Sequence, residues 1–383
     1  MESSKGRWTV IIIVAAVFVA LVVLRVTWER RPQAPPPEEQ GGPYAFLVLN
    51  SGGGMRTIDF TAGFPGKPSQ GKPSPTPGDL QAAAAFPPNF SDQRQLLGTI
   101  ARIHIWGDTD EVNQVRANLA FDRIADIGRQ MNFYDENSDL VRLNATAGGP
   151  GIVVTPDLMT VLERALLVAE LSDGAFDPTV GPLVRLWRSY LTRYAVPPPE
   201  SIRQLRALVG YKNVILDKAA MTVRLAKPGM QLDLGGIAKG YASDEAAKVL
   251  QQEGVQGATV EIGGVSCFGR KPNGDVFHIL IQNPYQLNGP PVGLVEGTDM
   301  GVVTSGNYFQ TWTVGDQVYT HFIDPRTGQS IIGLSSCTVT GPDAMTTDAL
   351  ATAVCVLNVK DGKVLFQKIN AWAQKEGIGK KKR

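Results

Sequence analysis

Leu232-Asp233-Leu234-Gly235-Gly236-Ile237-Ala238-Lys239-Gly240-Tyr241-Ala242-Ser243-Asp244 is the stretch on which the fold turns. An apolar strand end carries Asp233 into a Gly-Gly turn. A helix follows, expected over Gly240–Glu253. Exposed amides at such a helix start suit a phosphate, and Lys239 adds a positive charge. The G-x-x-x-x-G-K-[ST] spacing of a P-loop is absent. A tight strand-to-helix turn that needs glycine accounts for the same residues.

Strand-like runs lie on both sides of this turn. Asn213–Leu216 and Met221–Leu225 precede it; Thr259–Ile262, Val276–Gln282, Val318–Phe322 and Ser336–Thr340 follow. Further upstream, Ile103 and Ile105 alternate with Arg102, His104 and Trp106, the pattern of a half-buried strand. Asp108 is expected to cap the next helix, with Glu111 three residues on. Val112, Val115, Leu119, Ile124 and Ile127 would give that helix its apolar face. Thr155-Pro156 opens a second helix, with Leu158, Val161, Leu162, Ala165, Leu166 and Ala169 at helical spacing. Another helix is expected over Thr347–Leu357. Strands next to strands and helices next to turns predict an α+β fold, with mixed, largely antiparallel sheets and flanking helices.

Composition narrows the chemistry. The chain has 383 residues, with Lys+Arg 37 against Asp+Glu 36 and a net charge of +1. That balance argues against a nucleic-acid binder and against a long acidic tail. The hydrophobic fraction of 43% is ample for a core. Cys267, Cys337 and Cys355 form no CxxC pair, zinc spacing or disulfide framework. With His 3 in the whole chain, any metal would have to be held mainly by oxygen.

The chain divides into four parts. Residues 1–31 read as an N-terminal membrane anchor or signal segment. Lys5 and Arg7 precede the uncharged run Thr9–Leu24, and Trp8 and Trp28 bracket it. A spanning helix needs about 20 residues, so the run just suffices. No A-x-A-like cleavage site follows it. Residues 32–90 are rich in Pro and Gly, as in Gln33-Ala34-Pro35-Pro36-Pro37, and read as a disordered tether. Residues 91–370 are the globular domain, and 371–383 a basic C-terminal tail.

Three further motifs carry candidate chemistry. Asp173-Gly174-Ala175-Phe176-Asp177-Pro178-Thr179-Val180-Gly181-Pro182-Leu183 sets carboxylates about a glycine in a proline-stiffened run. It can pin a polar ligand edge, or be a surface turn. Thr304-Ser305-Gly306-Asn307-Tyr308 precedes Tyr319-Thr320-His321-Phe322-Ile323-Asp324-Pro325-Arg326-Thr327-Gly328. There His321 lies near a strand end, beside a turn, where it can act as a base near neutral pH. His278 and His104 alternate within strands and read as structural. In Met345-Thr346-Thr347-Asp348-Ala349-Leu350-Ala351-Thr352, Asp348 and Thr352 are four apart and share a helix face. A carboxylate and a hydroxyl there are hard donors that suit Mg²⁺. A helix-start Asp with a satisfied Thr is the plainer account.

Taken in this order, the four motifs resemble the ApbE-type FAD:protein FMN transferases. The resemblance runs from about Leu96 to Leu357 and includes Leu97-Gly98-Thr99, Met131-Asn132-Phe133-Tyr134 and Asn137-Ser138-Asp139-Leu140. It implies Mg²⁺-dependent transfer of FMN from FAD to a Ser or Thr hydroxyl of an acceptor protein, with AMP leaving. By family position, Leu97, Tyr134, Ala175, Phe176, Asp177, Asp233, Lys239 and Ile323 would line the FAD site. Gly236 (through its carbonyl), Asp348 and Thr352 would hold the metal, and His321 would deprotonate or orient the acceptor hydroxyl, so that His321 and Asp348 are the catalytic pair. Leu97 stands where Met is usual, and Asn132 where Ser is common. The acceptor motif, roughly Asp-Gly-Ala-Thr-x-Ala-Thr, is absent; Gln256-Gly257-Ala258-Thr259 matches it poorly, so self-modification is not expected. The alternative is a membrane-tethered FAD-binding protein or an FAD pyrophosphatase giving free FMN and AMP. The anchor would place the catalytic domain outside the cytoplasm, on the periplasmic side of the inner membrane.

Overall fold

Leu97 and Gly98 turn the chain back on itself with φ of 48° and 72°. A two-residue loop with both φ positive is the hairpin turn whose twist matches its strands. The strands it joins, Phe90–Leu96 and Thr99–Trp106, open the main sheet of this computed structural model. The structure describes residues 86–376 apart from 287, 309, 333 and 358, together with 11–14, 24–25, 78 and 80–81.

The sheet contains β1 (Ile11–Val14), β2 (Leu24–Arg25), β3 (Phe90–Leu96), β4 (Thr99–Trp106), β5 (Gly257–Glu261), β6 (Gly264–Gly269), β7 (Met300–Gly306) and β8 (Ser336–Gly341). Their order is β2-β1-β8-β7-β6-β5-β4-β3. Every pairing from β3 to β8 is antiparallel, as expected. Smaller sheets pair Phe277–Ile281 with Gly293–Gly297, Thr311–Val314 with Gln317–Thr320, and Thr222–Leu225 with Ile152–Val153 and Val214–Asp217.

Of the expected anchor segment, only Ile11–Val14 and Leu24–Arg25 are described, and they are strand rather than helix. Ile13 and Val14 lie parallel to Val339 and Thr340 of β8. The run is almost all β-branched, which favours the pleated sheet. No helix among the described residues is long and apolar enough to cross a membrane. The rest of Thr9–Leu24 and nearly all of the 32–90 tether, including Tyr44–Leu49, lie outside the described residues.

Eight helices are described: α1 (Asp110–Met131), α2 (Asp139–Ala145), α3 (Pro156–Leu171), α4 (Gly181–Leu191), α5 (Pro199–Arg206), α6 (Ala238–Gln252), α7 (Ala344–Val356) and α8 (Val359–Lys375). Thr155 caps α3 as expected, its hydroxyl accepting from the Leu158 amide at 3.3 Å. Two expectations for α1 fail. Its N-cap is Thr109, while Asp108 has φ 56° and accepts from Arg116 at 2.5 Å. Val112, Val115 and Leu119 face water; the buried face is Ala117, Ala120, Phe121, Ile124, Ile127 and Met131. Close packing against α6 selects the alanine stripe, which the spacing of larger apolar residues does not reveal.

The two helices that matter most, α6 and α7, start earlier than the sequence suggests. Asp343 caps α7 by accepting from the Thr346 amide at 2.7 Å. A Cβ placed on Gly240 would stand 2.1 Å from the Ala344 carbonyl oxygen. On Gly301 of β7 it would stand 2.4 Å from the Ala344 amide nitrogen. These glycines let α6, α7 and β7 meet backbone to backbone.

Candidate active site

Asp233 stands just beyond a parallel bridge between Val180 and Gln231. Its amide donates to the Pro178 carbonyl at 2.7 Å, which ties the Gly-Gly turn to the start of α4. One carboxylate oxygen accepts from the Gly235 amide at 2.8 Å. Burial pushes its pKa up; the Gly235 amide, Lys239, Arg185 and Arg188 pull against that rise.

Lys239 stands on the first turn of α6 and donates to the Gly235 carbonyl. Its ammonium lies 3.9 Å from an oxygen of Asp348, which is buried on α7. The same oxygen accepts from the Gly240 amide at 3.1 Å. Burial raises the Asp348 pKa, and Lys239 and the Gly240 amide oppose the rise. A buried carboxylate with so little charge compensation is stabilised by any further cation.

Thr352 is one turn along α7. A Cβ on Gly236 would stand 3.0 Å from the Thr352 hydroxyl oxygen and 3.3 Å from the Phe176 ring. Gly236 therefore keeps open the space between the Thr352 hydroxyl and Phe176. Gly236, Asp348 and Thr352 come together at one place, so the expected oxygen-donor set fits Mg²⁺ in kind. Among the described residues no three His, Cys, Asp or Glu side chains gather as a metal cluster. One carboxylate with neutral oxygens leaves room for waters and phosphate in the shell of a hard ion.

Asp177 is buried, and its oxygens are used within the fold. One accepts from the Thr179 amide at 2.8 Å and hydroxyl at 2.6 Å; the other accepts from the Tyr211 amide at 2.9 Å. Burial raises its pKa, opposed by these donors. Its side chain thus braces the 173–183 loop, whose Ala175 and Phe176 are buried beside it. Ile323 is buried with Leu183, Trp187, Leu191 and Ile202, under the Asp324–Gly328 turn. That turn is fixed by Arg326, which donates to both oxygens of Asp324 at 2.9 Å.

His321 follows the strand Gln317–Thr320, with its ring 4.2 Å from that of Phe322. Surrounding protein lowers its pKa to about 4, and the Lys239 charge acts in the same direction. The residue is exposed, so hydration on the open side limits the shift, whose direction is toward the neutral ring. His104 and His278 are elsewhere: the first pairs with Ser91 at 2.8 Å, the second with Glu296 at 2.9 Å.

Tyr134 is 54% exposed, and the Arg188 guanidinium lies 4.5 Å over its ring. Arg185 lies 4.2 Å over Phe133 and donates to its carbonyl at 2.9 Å. Sequence reading missed both arginines. Their spacing of three on α4 was legible, but their aromatic partners are some fifty residues upstream. Leu97 packs toward Gly128 of α1, 3.5 Å from where a Cβ would stand.

Fold and site define a mixed α+β protein in which Lys239 flanks oxygen donors from Gly236, Asp348 and Thr352. The family model described as "ApbE family" matches residues 97–373, so the chain belongs to the ApbE family. It is 33% identical over 296 residues to the FAD:protein FMN transferase of Treponema pallidum, covering 73% of this chain and 81% of that protein. It is 33% identical to that of Haemophilus influenzae, over 64% of this chain and 74% of the relative. Among solved structures, the ApbE protein of Thermotoga maritima superposes with a TM-score of 0.66 and 33% identity, over 72% of this chain and 89% of that one. The apo flavinyl transferase ApbE of Pseudomonas stutzeri gives 0.64 and 29%, over 76% and 89%.

Proposed function

We propose that this chain transfers the FMN half of FAD to a Ser or Thr hydroxyl of an acceptor protein and releases AMP. The observation that carries the reading is the meeting of Lys239, Asp348, Thr352 and Gly236 beside the Asp233 turn, in a member of the ApbE family. The acceptor hydroxyl attacks the phosphorus on the FMN side. A new P–O bond forms, and the bridging bond to AMP breaks. His321, neutral at pH 7, takes the hydroxyl proton. Lys239 faces the charge that builds on the phosphoryl oxygens. Asp348, Thr352 and the Gly236 carbonyl would hold Mg²⁺, which supplies charge neutralisation of the pyrophosphate when bound.

Aromatic and apolar groups complete the FAD-site reading. Tyr134 and Leu97 serve the planar part of the ligand, and Ala175, Phe176, Asp177 and Ile323 shape the pocket wall. The test is incubation with FAD, Mg²⁺ and an acceptor bearing the threonine motif. A fluorescent acceptor band supports transfer. Free FMN and AMP without that band would instead make the protein an FAD pyrophosphatase.

The apolar run Thr9–Leu24 supports an N-terminal anchor, with the catalytic domain on the periplasmic side. A segment inside a bilayer cannot also lie along β8, so the two placements of Ile11–Val14 exclude each other. Recovery in the membrane fraction, with the domain open to external protease, supports the anchor. Recovery of the uncleaved chain in the aqueous fraction rejects it.

A further inference from the structure

Arg185 and Arg188 lie one turn apart on α4, and both are exposed. Among the described residues neither guanidinium has a carboxylate within ion-pair distance. Each instead lies over an aromatic ring, Arg185 at 4.2 Å from Phe133 and Arg188 at 4.5 Å from Tyr134. Arg185 spends one N–H on the Phe133 carbonyl; a guanidinium has five N–H donors, so both arginines keep donors for an anion. The helix that carries them is tied to the catalytic turn. Val180 bridges Gln231, Pro178 accepts from the Asp233 amide at 2.7 Å, and a Cβ on Gly181 would stand 2.7 Å from the Gln231 carbonyl oxygen. Two positive charges without a carboxylate partner among the described residues thus stand on the helix tied to the Asp233 turn. Both lie close enough to Asp233 to act on its ionisation.

We propose that Arg185 and Arg188 form a cationic rim that captures the pyrophosphate of the dinucleotide substrate and sets its affinity. The inference rests on the flavin-transferase reading. It adds a second cationic contact, outside the groups that carry out the transfer. The rim lowers the dissociation constant for a dianionic ligand and leaves the chemical step alone. Its action is coulombic at an exposed site, so salt weakens it.

The experiment measures FAD binding to the full chain by flavin fluorescence polarisation, without Mg²⁺ or acceptor, across a range of NaCl. Arg185→Gln/Arg188→Gln is compared with Arg185→Lys/Arg188→Lys and the parent. Both positions are exposed, and circular dichroism checks that each variant folds. The glutamine pair is expected to weaken binding about tenfold at low salt and to flatten the salt dependence. The lysine pair keeps most of both. With acceptor and Mg²⁺ present, KM for FAD rises in the glutamine pair while kcat holds. Unchanged affinity in the glutamine pair overturns the proposal. An equal loss in both pairs with the parent's salt slope also overturns it, in favour of rings braced by stacking alone. If the parent binds no FAD either with or without Mg²⁺, the flavin reading falls and this inference falls with it.

Discussion

The α6–α7 wall and the exposed arginine face of α4 both adjoin the Asp233 turn, yet they are built in opposite ways. The wall is made by removing side chains. Gly240 and Gly301 let backbones touch at Ala344, and Gly236 leaves space at Thr352. Its carboxylate at the site, Asp348, is buried and held by the Gly240 amide and Lys239. The rim is made by adding side chains. Arg185, Arg188 and Tyr134 are exposed; each arginine lies over an aromatic ring, and Arg185 also donates to the Phe133 carbonyl. A buried wall holds reacting atoms in place; an exposed rim controls arrival. Changes to the wall should therefore strike the chemical step or the fold, and changes to the rim should strike affinity.

Asp348→Ala offers the largest break. It should cut the rate of FMN transfer by at least about 10³-fold and abolish any Mg²⁺ dependence. A quantified fluorescent-acceptor assay over a Mg²⁺ titration reads both. Near-parent activity would remove Asp348 from the metal set. His321→Ala comes next, with a loss of about 10²-fold or more in kcat and little change in FAD affinity. The parent's pH profile sharpens the same point. The His321 pKa is lowered, so its ring stays neutral as pH falls through the ordinary 6.5, and the rate should decline only below that. An acid limb at or above pH 6.5 that vanishes in His321→Ala would contradict a depressed pKa.

Gly240→Ala tests how the wall is made. The added methyl meets the Ala344 carbonyl oxygen at 2.1 Å, and backbone cannot swing aside as a side chain can. Overpacking of this kind should cost about 3 kcal/mol, read as a lower denaturation midpoint. Transfer should fall with it, since α7 carries Asp348 and Thr352. A variant with parent-like stability would mean the helices are not locked at this contact.

This contrast also explains what could be read from the sequence. The Asp233-to-Lys239 turn and the Asp348/Thr352 pair were legible because each is local: a Gly-Gly turn, and an i,i+4 face. The antiparallel α+β class followed from runs of adjacent strands. The starts of α6 and α7 were not legible, because tertiary packing on Ala344 extends both helices. The exposed side of α1 was misassigned because in its first half the buried positions are Ala117 and Ala120, chosen for closeness rather than hydrophobic bulk, while Ile124 and Ile127 are buried as expected. The rim was invisible because each arginine meets its ring across a long stretch of chain. The structural role of Asp177 was hidden for the same reason, since its partner Tyr211 opens a distant 3₁₀ turn, Tyr211–Asn213.

The smallest expected effect concerns what holds the wall from behind. Arg123 of α1 donates to both oxygens of Asp157 at the start of α3, at 2.6 Å each, and to Glu245 of α6 at 2.7 Å. Tyr241, two residues beyond Lys239, donates to the same Asp157 at 2.6 Å. The Arg123 guanidinium lowers the Asp157 pKa to about 2, helped by Tyr241 and Gln130 and opposed by burial. In the unfolded chain that carboxyl titrates near its ordinary value of about 3.9. A depressed carboxyl stabilises the fold above its unfolded pKa and loses that contribution as pH falls. The window is therefore pH 4 down to pH 2, and the contribution at neutral pH is about 2 kcal/mol. Asp157→Asn should remove this part of the acid sensitivity, seen as a flatter denaturation midpoint over that window. Because Tyr241 shares a helix turn with Lys239, the variant should also loosen the ammonium at the site. If stability flattens with pH while transfer at pH 7 is unchanged, the brace serves the fold alone, and the wall is fixed by its glycine contacts without help from behind.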